Sequence, residues 1–288
     1  MSILITGGTG AFGKAYVQKL LHNNIYKRIC IYSRDEWKQA QMRMKFNGDE
    51  RLRFFIGDVR DKERLRQAME GVSTVVHAAA LKRVEVCEYD AVEMTKTNVM
   101  GAINVIEASY GAGVKRVVAL SSDKACQPVN AYGASKLLSE KLFISANHTY
   151  GEHGPRYSCV RYGNVWKSTG SVVPIWQEII NNNLKKTPMV IDHIVPVTNP
   201  ECTRYFMYLH EACDLVQSTI NTMQGGEIVI PELPAYRLAD LAEAMDVDMD
   251  VIGLEPREKQ HETMDGITDS SQARRMTVEE LREALKHE

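Results

Sequence analysis

An apolar run that breaks on a glycine turn and resumes at once as a helix restricts the fold of this chain more than anything else in it. Residues 3–21 read ILITGGTGAFGKAYVQKLL, with Gly7, Gly10 and Gly13 at three-residue spacing between a β-branched run and a segment of helical period. A strand feeding a helix through such a turn opens a βαβ unit. Glycine lets the backbone turn tightly and approach a pyrophosphate, while the helix start offers unpaired N–H groups and a positive dipole end. The loop residues Gly7, Thr9, Gly10, Ala11, Phe12 and Gly13 are therefore expected to cradle a dinucleotide.

The rest of the chain keeps the same rhythm. Short apolar runs at Ile3–Thr6, Ile29–Tyr32, Phe54–Ile56, Thr74–Ala78, Val117–Leu120 and Tyr157–Arg161 alternate with helical segments at Phe12–Leu21, Glu63–Met69, Ala91–Tyr110 and Tyr132–Tyr150. That order predicts an α/β fold: a Rossmann-type doubly wound parallel sheet. Beyond about residue 165 prolines punctuate shorter elements, so residues 1–165 are expected to form the dinucleotide-binding domain. Residues 166–288 are expected to form mostly a smaller C-terminal substrate-binding lobe, with some segments returning to the main sheet.

Later strand ends refine the cofactor reading. The second ends in IYSRDEWKQ, where Ser33 and Arg34 suit a ribose 2′-phosphate and hence NADP, while Asp35 leaves NAD open. The third ends in GDVRD, placing Asp58 and Val59 at the adenine and leaving Asp61 as the better helix cap. The fourth runs into HAAALKRVEVCE, where Ala78 and Ala79 let a cofactor lie against the backbone. Lys82 stands there as a candidate for a phosphate or sugar contact, and His77 reads as a structural strand residue.

Composition narrows the partners. A net charge of −2 provides no basic field for nucleic acid, so a small molecule is expected instead. The six cysteines include no C-x-x-C and no paired histidine spacing, which argues against a metal site or a disulfide framework. The first strand starts almost at Met1 and no apolar run approaches the roughly 18–20 residues of a membrane span, so a soluble cytoplasmic protein is expected.

The stretch LSSDKACQPVNAYGASK, residues 120–136, carries the chemistry. Tyr132 and Lys136 are one helical turn apart on one face, which sets a phenol beside an ammonium that lowers its pKa. Such a pair points to proton and hydride chemistry. The Asp123-Lys124 pair ahead of it reads either as an ordinary exposed ion pair or as a second catalytic set.

The segments TGGTGAFG, YSRDE, GDVRD, HAAALKRVEVCE, TNVMGAINVI, SSDKACQPVNAYGASKLLSEKLF and RYGNVWKSTGSVVP together resemble the extended short-chain dehydrogenase/reductase family. Within it they are most similar to the inverting UDP-N-acetylglucosamine 4,6-dehydratase group. The similarity runs from Ile3 to about Pro174 and resumes at CTRYFMYLHEACDLV and GGEIVIPELPAYRLADLAEAM.

This resemblance implies an NADP-dependent lyase that turns a UDP-sugar into a 4-keto-6-deoxy product, with inversion at carbon 5 as the group's outcome. It implies Tyr132 as base toward the carbon 4 hydroxyl, Ser122 as its hydrogen-bond partner and Lys136 also on the nicotinamide ribose. It implies Lys124 as base at carbon 5 and Asp123 as acid toward the carbon 6 hydroxyl. Ser121 and Val165 to Thr169 would border the cofactor, and Asn164 and Arg204 the sugar nucleotide. Relatives self-associate, so a homo-oligomer is expected. The rivals are a UDP-sugar 4-epimerase, which shares the Tyr/Lys set without the Asp-Lys pair, and a non-catalytic dinucleotide-binding regulator.

Three departures from the family pattern lie near the sugar. The connection NNNLKKTPMVIDHIVPVTNPECTRYF is longer than usual, and Lys167-Ser168-Thr169-Gly170 replaces Gly-Ser-Arg-Gly. An Arg-Pro-Gly-Glu-Lys element reads here as Glu255-Pro256-Arg257-Glu258-Lys259. Arg257 is expected to supply the displaced arginine's charge to the diphosphate, with Glu258 on the nucleotide ribose and Glu255 turned to solvent.

Overall fold

The computed structural model describes residues 1–168, 170–186 and 194–287. Its first half alternates strand and helix: β1 (Ser2–Thr6), α1 (Ala11–Asn23), β2 (Arg28–Ser33), α2 (Glu36–Lys45), β3 (Leu52–Ile56), α3 (Lys62–Met69) and β4 (Thr74–His77). Helices α4 (Val84–Tyr89), α5 (Ala91–Met94) and α6 (Gly101–Gly111) lead to β5 (Arg116–Leu120), α7 (Ala131–Tyr150) and β6 (Arg156–Val160). Then come β7 (Asn164–Val165), α8 (Val172–Lys186), β8 (Ile194–Val197), β9 (Thr203–Met207) and α9 (Leu209–Thr222). The chain closes with β10 (Ile228–Val229), β11 (Ala235–Arg237), α10 (Leu238–Met245), β12 (Asp248–Val251) and α11 (Val278–Lys286).

Seven strands form one sheet in the order β10-β6-β5-β4-β1-β2-β3, and every pairing in it is parallel. Parallel strands are covered on both faces, which is why Ile3, Leu4 and Ile5 in succession are all fully buried. One face packs on Val17 and Leu20 of α1 and Val216 and Ile220 of α9. The other packs on Leu65 of α3, Val105 of α6 and Phe143 of α7. Although β10 lies late in the sequence, it pairs with Cys159 and Val160 at the edge of this sheet.

The remaining strands make two small sheets, β11-β9-β7 and β12-β8. Trp166, Trp176, Phe206, Tyr236, Leu241 and Leu281 form a separate core beneath them. Thr169, and residues 187–193 within the lengthened connection, lie outside the described residues.

The segment expected as one helix over Ala91–Tyr110 is instead α5 and α6 joined by a wider π-type turn, Thr95–Met100. The wider turn aims buried Asn98 at the backbone behind β4. Its side chain pairs both ways with Leu81, at 2.8 Å and 2.9 Å, and donates to Ser135 Oγ on α7 at 3.0 Å.

Candidate active site

Strand order reverses between β1 and β4, so a crevice opens at their carboxyl ends. Gly7 there has φ +65°, and a Cβ on it would stand 2.9 Å from the Ala79 backbone, so the glycine turn and the Ala78-Ala79 segment form one wall. Helix α1 begins on Gly10, which has no side chain to cap it. The first amides of a helix lack partners within it, so those of Ala11, Phe12 and Gly13 are free to donate to an outside acceptor such as a phosphate. Thr9 is buried beside the turn.

At the end of β2, Ser33 is buried with its hydroxyl accepting from Gln39 Nε2 at 3.0 Å. Arg34 is exposed, 3.6 Å from Asp58 Oδ2. Asp35 is spoken for: it caps α2 by accepting from the Lys38 amide at 2.9 Å. Asp61 caps α3, as expected, while Asp58 pairs with Arg60 at 2.7 Å. Burial alone would raise the Asp58 carboxyl, but Arg60 and Arg34 outweigh it and hold it below the usual range. Val59 is buried, and Lys82 is exposed with no ion pair among the described residues. His77, fully buried, shares a 2.8 Å hydrogen bond with Thr6.

The Asp-Lys pair is no ordinary surface ion pair. Asp123 is fully buried on a short turn after β5. Its Oδ1 accepts from Ser122 Oγ at 2.8 Å, the Lys124 amide at 2.8 Å and Lys124 Nζ at 3.3 Å. Its Oδ2 is buried without a partner. Lys124, 21% exposed, also donates to Asn164 Oδ1 at 3.3 Å and lies 3.2 Å from Glu262 Oε1. Burial would lower its pKa, but Asp123 and Glu262 outweigh burial and raise it. Ser122 caps the turn through the Lys124 amide at 3.3 Å, and Ser121 Oγ is buried without a partner.

The Tyr132 ring is buried against Cys87 and Met94. Burial pushes its phenol up to about 12, opposed by Lys124 and the Ser122 hydroxyl. Lys136 was expected to supply that opposing charge. Instead its Nζ donates to the Leu120 carbonyl at 2.5 Å, and burial lowers the ammonium. The charge that opposes burial at Tyr132 is the Lys124 ammonium.

On the opposite wall, Asn164 and Arg204 face the pair from adjoining strands β7 and β9. Arg204 donates to the Thr203 and Gln260 carbonyls at 2.8 Å and 3.1 Å. Val165, half-buried, follows Asn164 on β7. The segment 255–262 crosses this wall, its Arg257 carbonyl accepting from Asn130 Nδ2 at 3.0 Å. Here the expected free Arg257 is corrected: Glu255 is exposed, and it ion-pairs with the Arg257 guanidinium two residues away on the same turn. Glu258 Oε2 and Glu262 Oε2 are buried without hydrogen-bond partners.

Glu262 was missed by sequence reasoning, although it stands three residues beyond the Glu258-Lys259 dipeptide that marks the family element. Thus Ser122, Asp123, Lys124, Tyr132, Asn164 and Arg204 gather with Glu262, at the same carboxyl-end side of the sheet as the Gly7–Gly13 turn. The partnerless Ser121, Asp123 and Glu258 atoms are what a cleft built around a polar ligand leaves unsatisfied without it. Among the described residues no group of His, Cys, Asp and Glu is disposed to hold a metal ion.

Known proteins share this arrangement of chain. The profile of a family described as polysaccharide biosynthesis protein matches residues 3–283. The UDP-N-acetylglucosamine 4,6-dehydratase (inverting) of Campylobacter jejuni subsp. jejuni serotype O:2 is 47% identical over 271 residues, covering 93% of this chain and 78% of that protein. The UDP-glucose 4-epimerase of Rickettsia prowazekii is 42% identical over 248 residues, covering 85% of this chain and 70% of that one. Among solved structures, Pen from Bacillus thuringiensis matches with a TM-score of 0.88 at 33% identity, over 100% of this chain and 98% of its own.

Proposed function

The chain belongs to the polysaccharide biosynthesis protein family, and from that premise we propose that it is a nucleotide-sugar 4,6-dehydratase acting on UDP-N-acetylglucosamine. The observation that carries the reading is the buried Asp123-Lys124 pair beside Tyr132, with one Asp123 oxygen buried and unpartnered. A nicotinamide dinucleotide supplies reversible hydride transfer when bound, which makes carbon 4 a ketone and the carbon 5 proton acidic. NADP fits better than NAD because Asp35 is committed to capping α2 while Arg34 is exposed at the strand end.

The residues then divide the work. Tyr132 removes the carbon 4 hydroxyl proton, with Ser122 and the Lys124 charge easing ionisation of a phenol that burial holds near 12. A raised Lys124 pKa means the amine is charged at rest, so it needs to shed a proton before it can act as base. Asp123 receives that proton across the 3.3 Å contact, which turns the ion pair into an amine and a carboxylic acid. The amine takes the carbon 5 proton and the acid protonates the departing carbon 6 hydroxyl. Water leaves, and the pair is again ammonium and carboxylate. Reprotonation of carbon 5 from the opposite face, with the hydride returned to carbon 6 so that the cofactor is unchanged overall, would complete the 4-keto-6-deoxy product and invert that centre.

Asn164 and Arg204 are positioned for the sugar nucleotide, with Lys82, Arg257 and Glu258 at its margins. Self-association is part of the reading, supported by apolar surface at Tyr89, Val92 and Met100, which are 95%, 65% and 47% exposed. A cytoplasmic location accords with six free, buried cysteines. Among the described residues no helix is long and apolar enough to cross a membrane.

A 4-epimerase, the activity named for the Rickettsia relative, needs Tyr132 and a cofactor but no acid and base for elimination. Incubation with UDP-N-acetylglucosamine in deuterated water separates the readings. A 4-keto-6-deoxy product labelled at carbon 5 is expected; an unlabelled carbon 4 epimer, or unchanged substrate, would overturn the proposal.

A further inference from the structure

Glu262 is a buried carboxylate that the steps above leave without a task. It is 3% exposed. Its Oε1 lies 3.2 Å from Lys124 Nζ, and its Oε2 lies 3.6 Å from Lys259 Nζ without a hydrogen bond. Several fixed groups hold it there. The Glu262 amide donates to Ser270 Oγ at 3.0 Å, and Ser270 Oγ is joined to Thr203 Oγ1 at 2.6 Å. Two residues on, the Met264 carbonyl accepts from Arg161, which is locked in a buried ion pair with Glu140. Lys259 donates to the Cys126 carbonyl at 2.5 Å, tying the segment to the turn that carries Asp123 and Lys124.

Lys124 Nζ therefore meets three acceptors, Asp123 Oδ1, Asn164 Oδ1 and Glu262 Oε1, and an ammonium has three N–H donors to match. After one proton passes to Asp123, the remaining two N–H bonds are held by Asn164 and Glu262, so the lone pair is left on the Asp123 side and the carbon 5 proton has to be presented there. We propose that Glu262 is a positioning residue for the elimination, pinning the Lys124 amine and keeping the catalytic proton on the Asp123-Lys124 pair. This rests on the reading of Lys124 as the carbon 5 base.

The charged and titratable groups around Lys124 are Asp123 on its own turn, Tyr132 on α7, Arg204 on β9, Tyr236 on β11, and Glu262 with Lys259 on the 259–262 segment. Arg204 opposes proton retention on Lys124, and the Glu262 carboxylate offsets it. Burial would raise the Glu262 carboxyl, but Lys124, Arg204 and Lys259 outweigh it and keep it ionised. Once Glu262 is neutral, the pair should lose its proton at lower pH, leaving Asp123 unable to act as acid.

The holoenzyme variants Glu262→Gln, Glu262→Asp and Lys124→Ala decide the matter. Glu262→Gln is expected to lower kcat about ten- to hundredfold, keep KM within about threefold and leave bound cofactor reducible by substrate. The alkaline limb of its kcat/KM profile should move to lower pH. Glu262→Asp keeps the charge and should hold that limb near its normal position with a smaller loss in kcat, and it carries the test if the amide does not fold. An unchanged kcat and alkaline limb in Glu262→Gln would overturn the inference, as would equal losses of dehydration, cofactor reduction and substrate affinity. If Lys124→Ala still dehydrates substrate, the underlying reading has failed. If only Lys124→Ala is inactive, Glu262 alone has been misassigned.

Discussion

Gly133 stands directly against the backbone of Lys124: a Cβ on it would lie 2.2 Å from the Lys124 carbonyl oxygen and 3.1 Å from Pro128 Cβ. The first turn of α7 is thereby seated on the turn that carries the acid and base, and Tyr132 beside it is fixed relative to both. Gly133→Ala is expected to push the two apart. Overpacking of this kind costs about 1–3 kcal/mol, to be read from the urea midpoint, and dehydration should fall more than cofactor binding does. A variant with unchanged turnover would show that this close approach does not set the catalytic geometry.

The cofactor reading gives a second expectation. A cofactor recycled within each turnover need not leave, so the purified protein should carry NADP. Arg34→Ala should lower the preference for NADP over NAD by about ten- to hundredfold, the worth of one charge-assisted contact. Titration of the emptied protein with each cofactor measures it. Equal affinity for both in the unmodified protein would remove Arg34 from the site.

The two catalytic sets should come apart under mutation. Lys124→Ala is expected to abolish dehydration while substrate still reduces the bound cofactor, more slowly, because Tyr132 keeps the Ser122 hydroxyl but loses the Lys124 charge that eases its ionisation. Tyr132→Phe should suppress both steps by about a hundredfold or more. Single-turnover absorbance at the reduced-nicotinamide band follows the first step and product analysis the second. Near-normal dehydration in Lys124→Ala would refute the assignment.

A pH dependence of stability follows from His77. Burial pushes its imidazole down to about 3, with Lys136 adding to the effect. In the unfolded chain it titrates near 6.5, so below about 6.5 the unfolded state takes a proton that the folded state refuses. Stability should therefore fall as pH drops from about 6.5 toward 3, by at most about 1.4 kcal/mol per pH unit from this group. Urea unfolding between about pH 7 and 5, above most carboxylate titrations, isolates the slope. His77→Gln should be less stable at neutral pH but flatter across that window. A slope as steep as the parent's would assign the effect to another group.

The sequence exposed the sheet well because its signals are local. The β-branched runs behind Ile3, Ile29 and Val117 are consecutive, and buried parallel strands need no partner of known position to be seen. The glycine turn likewise carries its instructions in adjacent residues. What stayed hidden depends on distant chain. Tyr132 is buried by Cys87 and Met94, and its charge partner is Lys124 because Lys136 finds the Leu120 carbonyl. The π-type turn at Thr95–Met100 answers to Leu81 and Ser135, which no periodicity within α5 and α6 encodes. Glu262 reads as one more surface glutamate until β9 and the 259–262 segment fold over Lys124.

The Glu255-Arg257 ion pair bears on the last expectation. The family element carries arginine where Glu255 stands, and Arg257 would restore the cation only if its guanidinium could turn to the diphosphate. Glu255 already neutralises it, with side chains 49% and 37% exposed, so solvent screens the pair and its breaking costs little, within about 1 kcal/mol. The Arg257 backbone, by contrast, is fixed by Asn130 at the start of α7. A substrate diphosphate can thus compete for the side chain without moving the loop. Glu255→Ala should then lower the substrate KM a few-fold at low salt, and Arg257→Ala should raise it about ten- to hundredfold with kcat little changed. Arg204→Ala provides the comparison, since Arg204 faces the cleft from β9 whichever way the loop residue points. If Arg257→Ala and Glu255→Ala both leave KM unchanged while Arg204→Ala raises it, the loop arginine has no part in binding and Arg204 is the principal diphosphate ligand.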